Sequence, residues 1–276
     1  MSDKEVKSWR VDRTPLLRPS DKERVGWVDE DLEPIRFFDQ LYFIGSSTVG
    51  CFVLKTSEGL VMFESMEPTR RAMKLLLEGF EKLGLSFDDL KAVYICHAHY
   101  DHFGGAGIIK RMCNAKVYMS KDDHEDGIKF DPHIPEKVLM WDPDGYVGLE
   151  DIVMGDTVIH CFKDYDNVHS GVSYVFEVTD NGEKHMAGLW GGTESYIYEP
   201  YAKSLEKFRE FANGYGCDVA LYMHGLFDNT RERLEICRNL ANGGAHPFVV
   251  GNDGFNRYLD MHRDDAYRGS LRPRHH

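Results

Sequence analysis

The sequence predicts an α/β fold in which two β-rich halves, each followed by helices, pack as an αβ/βα sandwich. Three observations carry this. Short β-branched and aromatic runs, punctuated by Gly, Ser and Thr, cluster over residues 41–63 and again over 157–189. Apolar residues at helical spacing follow each cluster. The chain has 276 residues, long for one average domain and short for two independent ones. We divide it into an N-terminal arm (1–35), a single folded domain (36–265) and a C-terminal tail (266–276) with tag-like histidines.

Leu41–Ile44, Gly50–Leu54 and Leu60–Phe63 read as an antiparallel opening, separated by the turns Gly45-Ser46-Ser47 and Thr56–Gly59. Pro68 and Thr69 start a helix that runs through Lys82, with Ala72, Leu75, Leu76 and Phe80 on one stripe. Leu90–Cys96 is a strand, Ala106–Met112 a helix and Ala115–Met119 another strand. Residues 120–150 form a polar insert bearing Pro, Gly and Asp, a candidate lid. Strands follow at Thr157–Phe162, Val172–Val178 and His185–Leu189, then a helix at Ala202–Ala212 and a strand at Asp218–Tyr222. Helices at Thr230–Leu240 and Phe255–His262 close the domain.

Composition narrows the functional classes. Hydrophobic residues make up 42% and charged residues 29%, as in ordinary soluble proteins. A net charge of -13 argues against nucleic acid as a partner, because phosphates attract Lys and Arg. No apolar run approaches the roughly 20 residues that span a bilayer, so no membrane association is expected. The charged start Met1–Lys7 lacks the apolar stretch of a secretory signal. The expectation is a cytoplasmic protein, or a periplasmic or secreted one from which a signal was removed. Six scattered cysteines with no CxxC pair fit a reducing compartment. A small-molecule substrate is the expected partner, and the oligomeric state is left open.

The chemistry concentrates in His97-Ala98-His99-Tyr100-Asp101-His102, released onto a loop by the strand before it. Neutral imidazole and carboxylate are ligands for zinc and its first-row neighbours. A site for two metals needs more donors than this loop holds. His169 lies between two strands and His224 at the end of another, so both fit loops that deliver ligands to one sheet edge. His124, His133, His160, His185, His246 and His262 sit in no such motif and are read as hydrogen-bonded bystanders. Cys96 is read as packed inward.

On these residues the chain resembles the metallo-β-lactamase superfamily, from about Phe37 to Tyr258. It is most similar to the β-lactamase subclass with His-His-His and Asp-His-His sites. The resemblance implies the four-layer fold of that family, two mixed sheets flanked by helices. It also implies two Zn2+ ions per chain. His97, His99 and His169 would hold the first; Asp101, His102 and His224 would hold the second. The chain departs from the family pattern at four places. Glu64 stands where an Asp-x-Gly turn is usual. His169 is followed by Ser170-Gly171. Met186–Thr193 carries no bridging carboxylate and no expected β-lactam anchor, for which Thr193, Ser195 or Tyr196 could substitute. Gly225 stands in place of a proline.

The implied activity is zinc-dependent hydrolysis of a cyclic amide, as in a β-lactamase, by attack of a metal-bridging hydroxide on a carbonyl. Asp101 is the catalytic residue that would orient it. The alternative is a cytoplasmic metallo-hydrolase of a lactone, a thioester or another small ester or amide. A di-iron redox protein is disfavoured because it would use further carboxylate ligands. A non-catalytic metal module would need a closed site. Trp190-Gly191-Gly192 is expected to shape the pocket, with Trp141, Tyr196 and Tyr198 as weaker candidates.

Overall fold

The computed structural model describes residues 29–127, 141–148, 150–164, 171–192, 198–240 and 244–270. The strands are β1 (Ile35–Arg36), β2 (Leu41–Gly45), β3 (Gly50–Thr56), β4 (Gly59–Phe63), β5 (Leu90–Tyr94), β6 (Lys116–Met119) and β7 (Gly145–Tyr146), followed by β8 (Ile152–Met154), β9 (Thr157–Lys163), β10 (Val172–Asp180), β11 (Glu183–Trp190) and β12 (Val219–Tyr222). The helices are α1 (Arg70–Lys82), α2 (Tyr100–Phe103), α3 (Ala106–Met112), α4 (Tyr198–Gly214), α5 (Gly225–Asp228), α6 (Thr230–Arg238) and α7 (Gly251–Ser270).

The strands form two mixed sheets. One runs β1 to β7 in sequence order; the other runs β12-β11-β10-β9-β8. In the first, β1 to β4 pair antiparallel and β4 to β7 pair parallel, with α1 carrying the β4–β5 crossover and α2 and α3 the β5–β6 crossover. In the second, β12 joins β11 in parallel after α4. Two sheets flanked by helices are the architecture that the sequence predicts.

Strand alternation explains the layers. Leu41, Phe43, Phe52, Leu54, Val61, Phe63, Ala92 and Tyr94 point between the sheets. There they meet Tyr174, Phe176, Leu189 and Leu221 from the other sheet; Phe63 stacks on Phe176 at 5.0 Å. The alternate positions Tyr42, Ile44, Val53, Met62, Val93 and Ile95 face outward, against Ala72, Leu76 and Phe80 of α1 and Ile109 of α3. On the other side Val175, Trp190, Ala220 and Tyr222 pack on α4 and α7 through Leu205, Phe208, Phe255 and Leu259. Strands covered on both faces read as continuous apolar runs, which is why they were legible.

Several element ends differ from expectation. β5 stops at Tyr94, although the Ile95 N–H still bonds the Tyr118 carbonyl at 2.9 Å. α7 begins at Gly251 and runs past 265 to Ser270, with Ala266 buried in the core. The arm is stitched in before residue 35, where Asp31 bridges to Ser46. The end of the 120–150 insert is part of the first sheet. The Asp144 N–H bonds the Val117 carbonyl at 2.7 Å, and Lys110 Nζ holds the Asp144 carboxylate at 2.8 Å. Residues 128–140 of the expected lid lie outside the described residues.

A buried ion pair anchors the last loop. Arg233 of α6 donates to Asp228 at 2.7 Å and to the Ala220 carbonyl of β12 at 2.9 Å. Its guanidinium also lies 3.8 Å from the centroid of the Phe248 ring. Both charged side chains are almost wholly buried, at 2% and 1% exposure. Removing one would strand the other. Arg233→Met is therefore expected to destabilise the fold by about 3–5 kcal/mol in a denaturant titration. A loss below ~1 kcal/mol, the range of exposed pairs, would mean that the pair is solvated.

Candidate metal centre

The histidine loop leaves the C-terminal end of β5 and His224 leaves that of β12, so the two sheets deliver side chains to one edge. Asp101 and His102 lie in the single turn of α2, His99 precedes it on extended chain, and His97 lies in the bend before that. Ligand atoms of Asp101, His102 and His224 lie within 4.8 Å of one another, as do those of Glu64, His97 and His102. Asp101 Oδ2 stands 3.7 Å from His102 Nε2 and 3.8 Å from His224 Nε2. The His97 and His99 rings meet edge-on at 4.7 Å between centroids. The trio Asp101, His102 and His224 expected from the sequence is thus brought together. His97 and His99 stand beside it. His169 lies outside the described residues.

Three of the imidazoles share one arrangement. His97 Nδ1 lies 3.1 Å from the Gly191 carbonyl, which only accepts, so Nδ1 carries the hydrogen. Its Nε2 is buried and has no hydrogen-bond partner among the described residues. His224 bonds the backbone of Thr48, while its Nε2 faces His102 Nε2 at 2.9 Å; the donor to Thr48 is therefore Nδ1. His102 Nδ1 lies 3.4 Å from the Glu64 carboxylate. Each ring turns Nδ1 outward to an oxygen and leaves Nε2 toward the cluster. This is the orientation a metal-ligating histidine needs, and in His97 and His224 it is also the tautomer. The donor set of imidazoles and one carboxylate, with a bared, buried Nε2, fits zinc.

The charges follow from the same geometry. Burial works against a proton on His102, but the Asp101 and Glu64 carboxylates outweigh it and hold its pKa at about 9. His224, buried and facing His102, drops to about 4 despite Asp101. Without metal, His102 therefore donates its Nε2–H to His224. Burial and the neighbouring imidazoles push His97 well below its usual value. Burial would raise Asp101, yet His102, His224 and His99 hold it below the ordinary carboxylate value, so it stays ionised. Burial and Glu64 push the Cys96 thiol well up, which leaves it protonated.

Glu64, where the sequence departs from the family's Asp-x-Gly turn, orients the histidine loop. It is fully buried and adopts a left-handed backbone at φ 72°, uncommon for a residue with a side chain. Its Oε1 accepts the Cys96 N–H at 3.1 Å. The adjacent Ser65 holds the His102 carbonyl through both its N–H and its hydroxyl, each at 2.8 Å. Trp190-Gly191-Gly192 serves the ligands more directly than expected, since the Gly191 carbonyl orients His97. A Cβ on Gly191 would lie 1.9 Å from the Val172 carbonyl.

Two supports were not foreseen. Asp123 accepts the Ala98 N–H at 3.3 Å, between His97 and His99, and is itself bonded by Ser120. Lys163 lies 3.7 Å from Asp123. The pattern Ser120-x-x-Asp123 was a readable capping signal, but nothing local tied it to residue 98. The second support is the Thr48 carbonyl, which carries no sequence signal at all.

Other expectations resolve simply. Among the described residues, no group of three ligand atoms includes His124, His160, His185, His246 or His262. His160 pairs with Asp151 at 2.8 Å and His185 with Asp218 at 2.6 Å. His133, Thr193, Ser195 and Tyr196 lie outside the described residues. Trp141 packs against Phe103 with the core and Tyr198 against Tyr267.

Glu64→Gln keeps an acceptor for Cys96 but removes the charge beside His102. We expect 10–100-fold weaker metal binding in a chelator competition, the usual cost of losing a partner behind a ligand. Gly191→Ala is expected to lose about 1–3 kcal/mol by overpacking and to weaken metal binding by moving the carbonyl that holds His97. Thermal melting and a zinc titration test both parts.

A family model described as the metallo-beta-lactamase superfamily matches residues 47–202. Similar solved structures include the native FEZ-1 metallo-β-lactamase from Legionella gormanii, at 22% identity and TM-score 0.72, covering 88% of this chain and 97% of that one. BJP-1, a subclass B3 metallo-β-lactamase of Bradyrhizobium japonicum, matches at 19% identity and TM-score 0.65, covering 87% and 94%. A Cronobacter sakazakii metallo-β-lactamase with a HARLDQ motif matches at 15% identity and TM-score 0.67, covering 87% and 94%. At these identities the likeness is one of fold. The family match spans more than half of the 276 residues, and the chain belongs to the metallo-β-lactamase superfamily, a family of metal-dependent hydrolases.

Proposed function

We propose that this metallo-hydrolase binds two zinc ions and opens a cyclic amide, with β-lactams as the substrate class. The observation that carries the reading is the convergence of Asp101, His102 and His224, with the histidines' Nδ1 sides turned to oxygens. His97, His99 and His169 would hold one ion; Asp101, His102 and His224 would hold the other. Bound zinc supplies a Lewis acid for a carbonyl oxygen and brings the pKa of water toward neutrality.

The protein's own groups do the rest. Asp101 remains a carboxylate among imidazoles, so it can accept a hydrogen bond from the attacking water, orient it and take up its proton. Glu64 and the Gly191 and Thr48 carbonyls keep the three imidazoles neutral at Nε2 when the site is filled. A serine or cysteine nucleophile is not required, and Cys96 is held as an unreactive thiol. The similar structures named above are metallo-β-lactamases, which supports β-lactams.

A second reading follows from one observation. β11 ends at Trp190 and is followed by Gly191-Gly192, which lack side chains and whose Gly191 carbonyl is taken by His97. The segment thus offers no carboxylate anchor, which favours a lactone, a thioester or another small ester or amide.

The test is turnover of a chromogenic cephalosporin by zinc-loaded protein, with a chelated control. Fast, chelator-sensitive turnover supports the β-lactam reading. Its absence from a verified zinc-loaded sample moves the assignment to the second reading. His99→Ala and Asp101→Ala should each abolish hydrolysis of whichever substrate is found and leave a folded chain. Full activity in either would refute the assignment of the centre.

A further inference from the structure

The segment Asp29–Asp31 is wired to the metal centre through a chain of polar contacts. Arg71, in the first turn of α1, donates from Nη1 to Asp29 Oδ2 at 2.6 Å and from Nη2 to the Asp29 carbonyl at 2.9 Å. Its Nε donates to Asp31 Oδ1 at 2.7 Å. The helix that presents it is capped by Thr69, whose side chain accepts the Ala72 N–H. The other oxygen of Asp29 accepts the Thr48 N–H at 3.2 Å and the Ser47 hydroxyl at 3.3 Å. Glu30 adds two bonds to the same turn: its N–H to Ser47 Oγ at 3.0 Å, and the Ser47 N–H to its carbonyl at 2.8 Å.

That turn, between β2 and β3, holds the His224 loop at three successive residues. The Gly50 N–H bonds the Met223 carbonyl at 3.1 Å. The Thr48 backbone accepts from His224. Gly225 lies so close that a Cβ would sit 3.2 Å from the Ser47 carbonyl. Within the turn, Ser46 Oγ accepts the Thr48 and Val49 N–H groups, each at 3.3 Å. Burial opposes the charge on Asp29, and hydrogen bonds from the turn and from Arg71 overcome it, so the carboxylate stays ionised.

We propose that Asp29 and Arg71 are positioning residues for His224. They fix the turn 46–49 so that the Thr48 carbonyl takes the His224 Nδ1–H and leaves Nε2 for the metal shared with Asp101 and His102. The inference rests on the reading of His224 as a ligand. It gives the arm ahead of the first strand a role in the centre, and it places that role in a charged pair at the surface end of α1. An ordinary surface ion pair would have no influence on metal binding.

The experiment measures zinc binding by chelator competition, and the His224 tautomer by the ring nitrogen resonances of the metal-free protein. The variants are Asp29→Ala, Arg71→Met, Asp29→Asn and His224→Ala. Asp29→Ala and Arg71→Met should weaken one zinc-binding step 10–100-fold and leave the other unchanged. They should also shift His224 from a pure Nδ1–H form toward a mixture of tautomers. Asp29→Asn, which still accepts the Thr48 N–H, should recover part of the loss. Wild-type zinc binding with a wild-type tautomer in both Asp29→Ala and Arg71→Met overturns the proposal. In that case a weakened step in His224→Ala leaves the ligand reading intact. Wild-type binding in His224→Ala would instead overturn that reading, and this proposal with it. Arg71 is half-exposed, so its variant tests the clamp even if Asp29→Ala fails to fold.

Discussion

The hydrogen bond from His97 Nδ1 to the Gly191 carbonyl spans the two sheets, since His97 follows β5 in one and Gly191 follows β11 in the other. Beside it the Val172 N–H bonds the Cys96 carbonyl at 2.7 Å, across the same gap. Together they fix the spacing of the strand ends. The centre depends on that spacing, because Asp101 and His102 hang from the first sheet and His224 from the second. The aromatic layer behind them, with Phe63 stacked on Phe176, sets the distance from the core side. Dense packing makes this distance hard to change.

A neutral imidazole has one lone pair, and what its other nitrogen donates to decides where that pair lies. Here the acceptors come from three separate places: a glycine carbonyl after β11, a carbonyl in the β2–β3 turn, and the Glu64 carboxylate after β4. Each is held in turn. Gly191 is bonded by Ser173 at 2.9 Å, the turn by the Asp29 and Glu30 contacts, and Glu64 by the Cys96 N–H. The His224 loop is gripped from the other side by Asp228 and Arg233. These groups bury charge and cost desolvation, and buried ion pairs seldom add net stability. Their concentration at the strand ends makes sense as orientation of side chains.

Much of the fold could be read directly. Strands covered on both faces had to be apolar throughout, so β2 to β5 and β10 to β12 stood out. Helix α1 announced itself by the Thr69 cap and its apolar stripe. What escaped were elements too short to show a period: β1, β7, β8, α2 and α5. These exist because neighbours pair or pack with them. The start of α7, ahead of Phe255, was missed for a related reason. Gly251, Asn252 and Asp253 are poor helix formers on an exposed turn, and Asn252 is held there by the Cys217 carbonyl at 3.1 Å.

The sequence by itself determined the ligand chemistry: three histidines and an aspartate in six positions, and His224 at a strand end. Spacing within one loop is local, so neighbouring residues carry it. Glu64 was also visible, as an acid where the strand β4 ends. The tertiary structure alone decided which nitrogen of each ring is bared. That choice is made by Gly191, Thr48 and Glu64, which lie 94, 176 and 38 residues from the rings they orient. Two of them act through a backbone carbonyl, which every residue possesses. A group common to all twenty amino acids leaves no mark in a sequence, and only the folded chain shows where it points.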